Sequence, residues 1–78
     1  MPTRREAQEL QALAQIALPA VRRQRPLSAA LPCKADRYRL RAAAERVTGA
    51  AFWAGSSPHG QARLAAVEHL ARGGDPWP

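Results

Sequence analysis

Eight cations lie between Arg22 and Arg46, namely Arg22, Arg23, Arg25, Lys34, Arg37, Arg39, Arg41 and Arg46, and only Asp36 and Glu45 oppose them there. The segment carries a net charge of +6, the same as the whole 78-residue chain. The flanks are neutral, because Arg4 and Arg5 offset Glu6 and Glu9, while Arg63 and Arg72 offset Glu68 and Asp75. Guanidinium forks suit phosphate and carboxylate oxygens, so charge concentrated in this way favours a polyanionic partner. Tyr38 stands among these cations and could stack on a nucleobase or anchor a protein interface. The competing structural explanation is that the arginine stems lie along the core edge with their heads in water, while Tyr38 packs under Leu27 or Leu31. For Arg22, Arg23 and Arg25 the helix macrodipole alone accounts for cations at a C-terminal end.

The remaining reactive side chains do not combine into a catalytic or metal site. Cys33 is the only cysteine, which excludes an internal disulfide and a thiolate cage within one chain; Lys34 beside it could lower a thiol pKa, but no histidine is near in sequence. His59 and His69 are ten residues apart, about 15 Å along a helix, too far to share an ion. The Ser56-Ser-Pro-His-Gly60 run has the residue types of a nucleophile and a base, yet no strand precedes it and no third group orients it. The chain is accordingly expected to be non-enzymatic, with no cofactor, no metal and no small-molecule substrate.

Three helices must position these side chains. Thr3 followed by Glu6 reads as a capping box that starts helix 1 near Arg4. Leu10, Leu13, Ala14, Ala17 and Val21 recur at helical spacing, with Ile16 and Leu18 at the margins of the stripe, and Pro19 should either kink the helix or stop and restart it. Pro26 to Lys34 reads as a connector whose Leu27 and Leu31 plug the core. Helix 2 is expected from Asp36 as N-cap to Thr48, ending at Gly49. At about 100° per residue its Leu40, Ala43, Ala44 and Val47 face the core, Arg37 and Arg41 fall on one side of that sector, Arg39 and Arg46 on the other, and Tyr38 points outward. Phe52 and Trp53 follow the break and would cover the open end of the bundle or serve, with Trp77, in protein docking. Ser57 and Pro58 form a helix-start pair, Leu64, Val67, Leu70 and Ala71 form the buried side of helix 3, and Gly73 and Gly74 end it. Helix 3 has few base-reading side chains, and nine residues separate it from helix 2, which argues against a helix-turn-helix.

The fold expected is all-α: a single small three-helix bundle over 1–74 with a Pro-interrupted first helix, followed by an extended Asp75-Pro-Trp-Pro78 tail. The core material is thin. Of 36 hydrophobic residues 18 are alanine, whereas Leu, Ile, Val and Phe together number 13. Stability should therefore be marginal or lent by a partner, a homodimer included. Eleven arginines against one lysine, with no asparagine, point to a GC-rich source such as a bacterium or its phage. No run approaches the roughly 18 apolar residues of a membrane span and the N-terminus does not read as a secretory signal, so no membrane partner and a cytoplasmic location are expected.

Two functions from different classes follow. One is a small helical regulator or inhibitor that acts on nucleic acid, or on a nucleic-acid-handling complex, through a continuous outward face built from residues 22–46. The other is an accessory subunit or adaptor that docks on a larger complex through its helices and Phe52, Trp53 and Trp77. Leu13-Ala-Gln-Ile-Ala17, Phe52-Trp53 and His69-Leu-Ala-Arg-Gly-Gly74 resemble stretches of the small delta subunit of bacterial NAD-dependent formate dehydrogenases. The resemblance covers under a quarter of the chain and lacks the basic motif that follows that family's Phe-Trp pair. It illustrates the accessory-subunit class, and no family is assigned from it.

Overall fold

The computed structural model describes residues 3–48 and 60–76. Three helices pack around one core: α1 (Arg4–Arg22), α2 (Lys34–Thr48) and α3 (Gly60–Ala71), with a 3-10 turn over Leu27–Ala29 between the first two. Among the described residues there is no strand. The expected positions Gly49, Phe52, Trp53, Ser57, Pro58, His59 and Trp77 lie outside the described residues.

Helix α1 starts as the capping residues dictate, with the Thr3 hydroxyl accepting a hydrogen bond from the Glu6 N–H at 3.1 Å. Of the two outcomes open at Pro19, a stop is not what happens: the helix continues to Arg22 with Pro19 inside it. The proline forfeits only its own bond to the preceding turn, and the Arg23 N–H still reaches the Pro19 carbonyl at 3.2 Å. The helix then ends in a Schellman motif, in which the Arg25 N–H bonds the Ala20 carbonyl at 2.9 Å and the Gln24 N–H bonds the Val21 carbonyl at 3.0 Å. Gln24 occupies the left-handed position with φ 57°.

Helix α2 starts two residues before the expected cap. Its first turn closes from the Arg37 N–H to the Cys33 carbonyl at 3.2 Å, which places Asp36 inside the helix. The cause lies in the connector, where Leu27 and Leu31 are both buried and fix where the chain can turn upward. Asp36 still benefits from the helix N-terminus, and it bridges Arg39 at 3.7 Å. Helix α3 closes with the second Schellman motif, Gly74 N–H to His69 carbonyl at 2.9 Å and Gly73 N–H to Leu70 carbonyl at 3.0 Å, with Gly73 at φ 82°. Asp75 and Pro76 follow it outside the helix, and Pro76 is buried.

The core is made of small side chains. Leu10, Ala14, Ala17 and Val21 of α1 meet Leu40, Ala43 and Ala44 of α2 and Ala66, Val67, Leu70 and Ala71 of α3, with Leu27 and Leu31 closing the side. Among the described residues, Leu40, Leu70 and Val67 are the large side chains that are completely enclosed. Leu13, Leu18, Val47 and Leu64 are half-buried against this cluster, so Ala66 takes the inward position expected of Leu64. The closest association is between α1 and α3, where alanine lets backbones approach and side-chain amides reach across. The Ala71 carbonyl, one of those left open at the end of α3, accepts from Gln15 Nε2 at 3.1 Å and Gln11 Nε2 at 3.4 Å.

Candidate functional site

Lys34, Arg37, Tyr38 and Arg41 are spaced 0, 3, 4 and 7 along α2 and therefore share one face of it. Opposite that face stand Pro26, Leu27 and Ser28 of the 3-10 turn and Arg63 of α3, and between the two walls lies an open cleft of about 330 Å³. Among the described residues, four cations line it and no carboxylate does. Leu27 and Pro26 give the cleft an apolar wall, and Tyr38, with 55% of its surface exposed, gives it an aromatic one.

Each side chain has a separate role there. The Arg37 guanidinium is half-buried and donates from Nη1 to the Leu31 carbonyl at 2.7 Å and the Pro32 carbonyl at 2.8 Å, which ties the end of the connector to α2. The Lys34 ammonium lies 5.6 Å from the centroid of the Tyr38 ring, a cation–π contact that holds the ring in place. Arg41 reaches Glu45 at 3.4 Å, one turn on and outside the cleft lining. Arg63 enters from α3 and makes the cleft a meeting point of two helices and a turn. Like charges one turn apart, such as Arg37 and Arg41, repel by a few tenths of a kcal/mol, and an anion held between them removes that cost.

The expected continuous basic face over residues 22–46 is divided in the structure. Arg39 turns to the opposite side of α2 and pairs with Glu9 of α1 as well as with Asp36. Arg22 stands 3.9 Å from Glu68 of α3. Arg23 and Arg25 line a second cleft, about 390 Å³, with Ile16, Pro19, Ala20, Ala29 and Ala30. Arg46 is half-buried on α2 and lines neither cleft. Counting charge along the chain missed this division because Glu9 and Glu68, which neutralise Arg39 and Arg22, come from segments whose own charge sums to zero. The same neutral flank concealed Arg63. Tyr38 does not pack beneath the connector leucines; it stays exposed across the cleft from Leu27.

Cys33 is exposed at the start of α2. Among the described residues no group of three or more His, Cys, Asp or Glu could hold a metal ion, and no helix is long and apolar enough to cross a membrane. His69 lies half-buried with Nε2 2.8 Å from the Asp75 carbonyl oxygen. Its ring folds over Gly74, where an added Cβ would come within 2.4 Å of the imidazole. It braces the end of α3, away from the cleft. No family model, no curated protein and no solved structure matches this chain.

Proposed function

We propose that the protein is a non-enzymatic binding module that holds nucleic acid through the cleft of Lys34, Arg37, Tyr38, Arg41 and Arg63, and that it regulates or inhibits a nucleic-acid-handling process by occupying that ligand. The observation that carries this reading is the convergence of four cations around an exposed aromatic ring in a cleft lined, among the described residues, by no carboxylate. Phosphate contacts supply affinity and position, and cations engaged on the phosphate backbone carry no sequence information, so weak sequence preference is expected. Fluorescence anisotropy across a salt series tests it. Binding near physiological salt, a log–log slope of about −2 to −4 for three to four phosphates, and a slope reduced by about 0.7–0.9 in Arg41→Ala are expected. No binding at low salt, or a slope unchanged by Arg41→Ala, overturns the proposal.

A second reading has its own observation. Ile16 is 55% exposed on α1 and lines, with Pro19, Ala20, Ala29 and Ala30 and the two cations Arg23 and Arg25, a mixed groove. Charge complementarity selects an acidic protein segment with one apolar side chain as the occupant, which corresponds to the adaptor class. This reading expects one acidic protein to be retained after nuclease treatment and lost on Ile16→Asp but kept by Arg41→Ala. Loss with Arg41→Ala and retention with Ile16→Asp would instead assign the contact to the basic cleft.

A further inference from the structure

We propose that the cleft accepts one unpaired nucleotide, so that the polymer it recognises is single-stranded. This rests on the nucleic-acid reading above and narrows it. Tyr38 offers a flat ring face as well as its hydroxyl; the ring is braced by Lys34 at 5.6 Å, and the residue is exposed for the greater part of its surface. A ring face binds a base by stacking, and in a duplex the faces are already stacked on their neighbours and only the edges are open. Pro26 and the edge of the buried Leu27 also line the cleft, so aliphatic surface accompanies the aromatic ring there for a heterocycle to rest against. The volume, about 330 Å³, is at the small end of the range of roughly 300–1,000 Å³ seen for small-ligand pockets and far too narrow for a double helix.

The cations fit the same ligand. Arg37 spends Nη1 on the Leu31 and Pro32 carbonyls and so acts as a positioning residue that fastens the end of the connector to α2. Arg41 and Arg63 come from different helices and line the same opening, where guanidinium forks meet the phosphates on either side of the inserted base. A strand threaded in this way contacts few phosphates per protein, so each Tyr38 stacking event contributes a large share of the affinity.

The test compares, at one salt concentration, a single-stranded oligonucleotide, its duplex and a free nucleoside monophosphate, in ribose and deoxyribose forms, against wild type, Tyr38→Leu and Tyr38→Phe. Tyr38 is exposed, so both variants should keep the wild-type helical circular dichroism. The single strand is expected to bind at least tenfold tighter than the duplex. Tyr38→Leu should weaken the single strand by about 5- to 150-fold, leave duplex binding within twofold, and be rescued by Tyr38→Phe. Equal affinity for strand and duplex, or no effect of Tyr38→Leu, overturns the inference while leaving phosphate binding standing. A monophosphate that competes at the same concentration as the strand overturns the polymer assignment in favour of a free nucleotide. Absence of binding to every probe overturns the nucleic-acid reading itself.

Discussion

Gln24 sits at φ 57° between Arg23 and Arg25, at the one position of the α1 terminus where a side chain is sterically unwelcome. An L residue in that conformation costs about 1–2 kcal/mol, whereas glycine adopts it freely and loses only about 0.5–1 kcal/mol of extra chain entropy. Gln24→Gly should therefore raise stability by about 0.5–1 kcal/mol in chemical denaturation; a loss would mean that the Gln24 side chain has a compensating contact. The same motif at the end of α3 carries Gly73, and glycine there was legible from the sequence because two adjacent glycines follow an apolar stripe. The α1 end was not, since neither glycine nor asparagine marks it and Pro19 drew attention one turn too early. Arg37 was legible as part of a basic face but not as the residue that laces the connector to α2, because its partners are backbone carbonyls, which every residue has.

At the scale of elements, the spacing of apolar residues located all three helices and most of their buried sides: Leu10, Ala14, Ala17 and Val21 on α1, Leu40, Ala43 and Ala44 on α2, Val67, Leu70 and Ala71 on α3. The start of α2 was misplaced because Asp36 is a good cap by residue type, while burial of Leu31 decided the matter through packing that no local pattern records. Part of the cleft was also legible, since Arg37 and Arg41 had to share one side of helix 2, whereas Lys34, read as the end of the connector, joins that face only because α2 starts at Lys34. What covers the other cations was not, because it depends on how α1 and α3 lie against α2. The alanine seam makes the helix interfaces intolerant of added volume. Ala43 is fully buried, and Ala43→Leu should destabilise the fold by about 1–3 kcal/mol through overpacking, read as a lowered urea midpoint; an unchanged midpoint would show that the seam has room to spare.

At the scale of the whole molecule, the clefts described above are differently made. One is cationic with an aromatic wall, between α2, the 3-10 turn and α3; the other is lined by small apolar side chains together with Arg23 and Arg25, between the end of α1 and the same turn. The Leu27–Ala29 turn contributes to both, which makes the short connector the part of the chain through which occupation of one opening could be felt at the other. The interior has a thermodynamic signature of its own. A domain of this length ordinarily unfolds with a heat-capacity increment of about 1 kcal/mol/K, most of it from newly wetted hydrocarbon, and an interior in which alanine replaces leucine has little hydrocarbon to wet. Calorimetry should return an increment clearly below that figure and a transition spread over many degrees. The stability curve is then shallow, so the protein would hold a modest free energy almost unchanged from a cold environment to a warm one instead of reaching a high optimum at any single temperature.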